Sequence, residues 1–157
     1  MRLAIYWAPA RSDPLFHLGN QWLGRNPATN APVPQPAIRN IEAITADARH
    51  YGFHCTLRPP MRLATSEPAF HATAQQIAAD TAAFPLPPLR VSAISGFLAL
   101  TLVSRSLEMQ ALANLCVRAT NPHRAPPSPE ELARRRAAGL TPRQEILLQS
   151  WGYPYVM

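Results

Sequence analysis

The stretch Tyr51-Gly52-Phe53-His54-Cys55-Thr56-Leu57-Arg58-Pro59-Pro60 reads as a strand closed by a proline pair, and its alternation sets how the rest of the chain is arranged. Side chains on a strand point to opposite faces in turn, so Phe53, Cys55 and Leu57 share one face and His54 and Thr56 the other. The apolar set belongs to the core. An imidazole and a hydroxyl then stand two residues apart on the exposed face, where both can reach one phosphate group. Histidine moves a proton near neutral pH, and a threonine hydroxyl hydrogen-bonds a phosphate oxygen. Pro59-Pro60 is expected to end the strand, because proline has no donor for the ladder and restricts the residue before it. The chain also holds a control, His71-Ala72-Thr73, which has the same spacing inside a helical pattern, where i and i+2 do not share a face. His71 is therefore read as a helix-surface residue. Spacing alone leaves a structural histidine as the plainer reading of His54.

Working outward, residues 2–8 read as a strand ended by Pro9. Ser12-Asp13-Pro14 supplies a cap and a first-turn proline, which predicts a helix to about Leu23 that stops at Gly24. Residues 25–37, with four prolines, form a loop, and a short helical piece is expected over 38–44. Ser66 to Phe84 is a helix with Pro68 in its first turn and Phe70, Ile77 and Phe84 on one face. Strands follow at 89–94 and 97–103, with Ser95-Gly96 as the hairpin turn. Ser106 starts a helix whose apolar face takes Leu112, Leu115 and Cys116, or Met109. Two more helices are announced by Ser128-Pro129-Glu130-Glu131 and Thr141-Pro142-Arg143-Gln144, each placing a hydroxyl three residues before Glu or Gln; the last should end at Trp151-Gly152. The aromatic, β-prone Tyr153 to Met157 then calls for a strand that the chain has no residues left to make. This order argues for an α+β fold, a mostly antiparallel sheet with packed helices.

A chain of 157 residues, 47% of them apolar, is long enough for one domain with a core, and residues 1–157 are read as a single domain. The formal charge of +6 comes entirely from arginine, since no lysine occurs. Arginine's planar fork grips phosphate in two places, which points to phosphate-bearing partners, a small phosphorylated substrate first and RNA second. Most of the fifteen arginines are nonetheless expected to be ordinary solvated residues. Cys55 and Cys116 lie far apart and suggest neither a disulfide framework nor a zinc spacing. No run approaches the length of a membrane span and the short apolar run at 3–8 is no leader, so a cytoplasmic location without membrane association is the expectation.

Several segments together resemble one known family: Leu3 to Pro9, Thr45-Ala46-Asp47 through Pro60, Gly96-Phe97-Leu98-Ala99-Leu100, and Glu131 to Arg136 through Trp151 to Met157. They are similar to the branch of the two-histidine phosphoesterase superfamily found with phosphonate-utilisation genes. The resemblance implies two similar α+β lobes across a cleft, each giving one His-x-Thr or His-x-Ser strand. One histidine acts as general base and the other as general acid on a phosphodiester, often cyclic, with no metal or other cofactor. His54 and Thr56 match the first motif; Tyr6 and Arg58 are further candidates for substrate contact, each weighed against a role as a sheet residue or a solvated rim charge. Relatives carry the second motif shortly after the equivalent of Tyr153 to Met157. The chain is thus expected to hold the first lobe and part of the second, and to be an inactive or impaired hydrolase by itself. The alternatives are a phosphate- or RNA-binding module without catalysis, or a gene fragment without function. Relatives also commonly have Lys-Pro-Pro-Phe where this chain has Arg58-Pro59-Pro60-Met61.

Overall fold

A computed structural model describes residues 2–94, 96–137 and 139–156. The elements run β1 (Arg2–Trp7), α1 (Pro14–Leu23), α2 (Ile41–Ile44), α3 (Ala46–Arg49), β2 (Cys55–Arg62), α4 (Glu67–Asp80), β3 (Leu89–Ile94), β4 (Phe97–Leu102), α5 (Leu107–Thr120), α6 (Pro129–Arg136) and α7 (Pro142–Trp151). The fold is α+β. Its strands form two separate two-stranded sheets, β1 with β2 and β3 with β4. The chain divides into two compact units, Tyr6–Thr56 and the residues on either side of it.

The locally coded helix ends fall where the capping chemistry puts them. The Asp13 side chain accepts the Leu15 N–H and Gly24 closes α1 in the left-handed region. Ser66, Ser106 and Ser128 cap α4, α5 and α6, and Thr141 with Gln144 forms a full reciprocal capping box on α7. At α6 only half of the expected box forms, because the Glu131 carboxylate goes to Arg2 and Arg135 instead of turning back to the cap.

In the smaller unit the loop is held by side chains bonded to backbone. The Arg25 guanidinium donates to the carbonyls of Arg49 and His50, and Arg49 donates to the carbonyl of Leu23. Thr45, which is 2% exposed, accepts from both Gln35 and Arg49. The turn Ala46–Arg49 is helical, where no helix was anticipated after residue 44. Phe53 lies so close to Gly19 that a Cβ there would come within 2.4 Å of its ring; α1 needs a bare backbone at that point.

In the larger unit Leu57, Ile77 and Cys116 form a buried cluster, with Ile5, Met109 and Leu112 packed against it. Leu115, expected on the buried face of α5, is 43% exposed; α5 turns its Met109, Leu112 and Cys116 inward instead. α4 ends at Asp80, not at Phe84. Thr81 is extended, its hydroxyl takes the Ile77 carbonyl at 2.6 Å, and Phe84 precedes Pro85, which disfavours helical backbone. β3 and β4 pair antiparallel with Leu89 opposite Leu102 and Ile94 opposite Phe97; Gly96 turns between them and Ser95 lies outside the described residues. Tyr153 to Val156 make a turn and no strand, Tyr153 edging against Tyr155 with the Arg135 guanidinium over its ring. Met157 lies outside the described residues. Among the described residues no helix is long and apolar enough to cross a membrane.

Candidate functional site

β2 begins at Cys55, so His54 stands one residue before the strand and not within it. The strand also runs on through Pro59 and Pro60 to Arg62. A two-stranded ladder leaves open edges, where a missing N–H forfeits no bond and the fixed φ of proline suits extended backbone. The expected alternation holds only in part: Leu57 is buried and Thr56 exposed, but Phe53 is half-buried and Cys55 is exposed. With His54 outside the ladder, its direction is set by hydrogen bonding and ring contact more than by the pleat.

Those contacts are specific. His54 Nδ1 lies 2.9 Å from the carbonyl oxygen of Gly52, and the Tyr6 ring lies over the imidazole with centroids 3.9 Å apart and planes at 33°. Tyr51 flanks the same ring at 6.4 Å. A carbonyl can only accept, so Nδ1 carries the hydrogen and the neutral imidazole keeps its lone pair on Nε2. That is the form of a general base. The carbonyl is aimed by Gly52, whose φ of +76° is left-handed and whose missing Cβ would lie 2.9 Å from Pro27 Cβ. Burial, with the neighbouring Tyr51, pushes the Tyr6 phenol above its usual range, so it remains a hydrogen-bond donor at neutral pH. Tyr6 and His54 are thus brought together. Thr56 offers an exposed hydroxyl two residues further on.

Arg58 belongs to the larger unit and is no solvated rim charge. It is 1% exposed; its Nη1 donates to the Trp151 carbonyl at 3.1 Å and its Nη2 to Met61 Sδ at 3.0 Å. Burial, and then the charge of Arg124, lower its pKa to about 10. Arg124 donates to Asn121 Oδ1 and to the Ser150 carbonyl, so two arginines cap the C-terminus of α7. Around them a small hollow is lined by Arg58, Arg62, Arg124, Glu131, Trp151 and Tyr153 among others. Of this group only Arg58 was a candidate for substrate contact from the sequence. Arg62 and Arg124 come together because residues 123–125 run beside the end of β2, with Ala64 N–H on the His123 carbonyl and Ala125 N–H on the Arg62 carbonyl. No local sequence pattern announces that pairing.

The control motif behaves as a helix surface. His71 is exposed on α4 beside Glu67, and the Thr73 hydroxyl faces His123 Nε2, whose Nδ1 meets the Thr65 hydroxyl. Among the described residues no three His, Cys, Asp or Glu side chains converge.

The sequence model of a family described as "Protein of unknown function (DUF1045)" matches residues 56–157. Two curated relatives carry the name "Ribose 1,5-bisphosphate phosphokinase PhnN". The one from Janthinobacterium sp. (strain Marseille) is 43% identical over 98% of this chain and 36% of its own length. The one from Laribacter hongkongensis (strain HLHK9) is 38% identical over 99% of this chain and 37% of its own length. The chain therefore spans little more than a third of these relatives. No solved structure matches.

Proposed function

The chain belongs to this family of unknown function (DUF1045), and on that premise we propose that it carries one histidine arm of a phosphodiesterase linked to phosphonate metabolism, acting on a small cyclic or nucleotide-like phosphodiester. The observation that carries the reading is His54, with Nδ1 fixed on the Gly52 carbonyl, Nε2 left as the proton acceptor, and Tyr6 against its ring. In this reading Nε2 takes the proton of the attacking water or hydroxyl. The exposed Thr56 hydroxyl and the Tyr6 phenol donate to non-bridging phosphate oxygens. Hydrolysis also needs a proton delivered to the leaving oxygen on the far side of the phosphorus, and His54 cannot perform both tasks at once. By itself the chain is therefore expected to retain only a weak activity.

The relatives' printed name describes a kinase, and it is theirs over a length nearly three times that aligned here. This chain contains no lysine, so the lysine-bearing phosphate loop common among nucleotide kinases has no place within it. An RNA-binding role gains nothing from Arg25 and Arg49, whose guanidinium groups are committed to backbone carbonyls.

The test is hydrolysis of a nucleoside 2′,3′-cyclic phosphate by the purified chain and by His54→Ala. A weak activity lost in the variant is expected, since a positioned base contributes roughly 10²–10⁴-fold. Activity that persists undiminished in His54→Ala refutes the reading.

A further inference from the structure

We propose that Arg58, Arg62 and Arg124 form a binding site for a small tetrahedral oxyanion, inorganic phosphate or a terminal phosphoryl group, built from residues other than His54, Thr56 and Tyr6. The starting point is a guanidinium that the protein leaves under-satisfied. Arg58 has five N–H donors, is 1% exposed, and among the described residues donates to one carbonyl and one thioether sulfur, while its buried Nε has no hydrogen-bond partner there. Burying a cation is strongly unfavourable unless an anion and hydrogen bonds compensate it.

For Arg58 itself the compensation inside the protein is small, since no carboxylate is among the groups that act on it. The acidic side chain lining the hollow, Glu131, gives its Oε1 to Arg2 and Arg135. The C-terminus of α7 supplies about half a negative charge, and it faces two guanidinium groups, Arg58 on the Trp151 carbonyl and Arg124 on the Ser150 carbonyl. Arg62, on the same hollow, donates to the Pro126 carbonyl at 2.7 Å, and the Glu131 charge acts on both Arg62 and Arg124. Capping one helix end does not account for three arginines on one hollow, and an anion at its open side would offset their charge.

Size narrows the ligand. The hollow admits the centre of a water-sized sphere over about 20 Å³, little more than the roughly 10–15 Å³ needed to hold one water. A ligand would therefore meet the arginine forks by its phosphoryl oxygens at the open side.

The experiment is calorimetric titration of the full chain with inorganic phosphate at constant ionic strength, using acetate as the comparison anion. Met61, whose sulfur touches Arg58, carries a ¹³C-methyl label and reports the site directly. Saturable 1:1 binding of phosphate and not of acetate is expected, with a matching shift of the Met61 methyl. Arg124→Gln should weaken it roughly tenfold, the loss of one charge-assisted contact. Arg62→Gln, whose bond to Pro126 is peripheral to α7, serves the same purpose should Arg124→Gln unfold. His54→Ala should leave the binding unchanged. The proposal is overturned by non-saturating binding, by equal binding of acetate, by an unmoved Met61 methyl, or by binding that both arginine variants keep and His54→Ala loses. The last result would transfer the phosphate to the His54 arm and leave the proposed esterase chemistry standing.

Discussion

Replacing Gly52 by alanine should damage both the smaller unit and the histidine it positions. Gly52 has φ +76°, and an added Cβ would lie 2.9 Å from Pro27 Cβ and 3.0 Å from Pro27 Cγ. Left-handed backbone costs a non-glycine residue about 1–2 kcal/mol. Alanine recovers about 0.4–1 kcal/mol of that by restricting the unfolded chain. The backbone term alone is thus about 1 kcal/mol net. The contact with Pro27 adds to it, since a proline ring braced by its own backbone has little room to yield; overpacking of this kind costs about 1–3 kcal/mol. A total near 2–4 kcal/mol follows. Gly139 separates the two terms, because it has φ +72° and nothing within 4 Å of its ideal Cβ. Gly139→Ala should therefore show the backbone term only. Urea unfolding followed by circular dichroism measures both variants, and ¹⁵N spectra of His54 in Gly52→Ala should show Nδ1 losing its fixed proton as the carbonyl moves. Equal destabilisation by the two substitutions would refute the steric argument, and an unchanged His54 spectrum would refute the role of Gly52 in fixing the tautomer.

Other outcomes follow from the same structure. Cys55 is exposed and Cys116 is 1% exposed, so iodoacetamide should modify one thiol in the folded chain and two in denaturant. Thr141→Ala removes the hydroxyl that accepts the Gln144 N–H and should cost about 1 kcal/mol in thermal or urea unfolding. Desolvation raises Glu131, but the hydrogen bond from Arg135 and the charges of Arg2, Arg135 and Arg62 outweigh it and hold the carboxyl below its usual value. Its folded pKa is thus depressed, so its stabilisation is present above the unfolded value and is lost as pH falls through the folded one. Glu131→Gln should accordingly flatten the decline of stability below about pH 4.3, the ordinary glutamate value, measured as urea midpoints against pH.

Much of the helical frame was legible because its information is local. Asp13, Ser66, Ser106, Ser128 and Thr141 each cap within three residues of themselves, and Gly24 and Gly152 end their helices by their own backbone freedom. The hairpin of β3 and β4 was equally readable from two apolar runs and a tight turn. Two of the misreadings come from a local rule overruled by neighbours. Pro59 and Pro60 were read as a stop because proline has no donor for the ladder, yet β2 lies in a two-stranded sheet whose open edge needs none. Leu115 was placed inside by spacing, but α5 presents Met109, Leu112 and Cys116 to the Leu57 cluster.

The sequence by itself determined where the capped helices begin and where Gly24 and Gly152 end theirs, because capping and turn formation depend on a few adjacent residues. Only the tertiary structure decided what becomes of the candidate side chains. Tyr6 reaches the His54 ring across 48 positions of chain. Arg58, one residue after the buried Leu57, becomes a desolvated cation because residues 123–125 and the end of α7 close over it. Solvation and electrostatic pairing are set by what packs against a group, and what packs against these groups comes from parts of the chain that no short window of sequence contains.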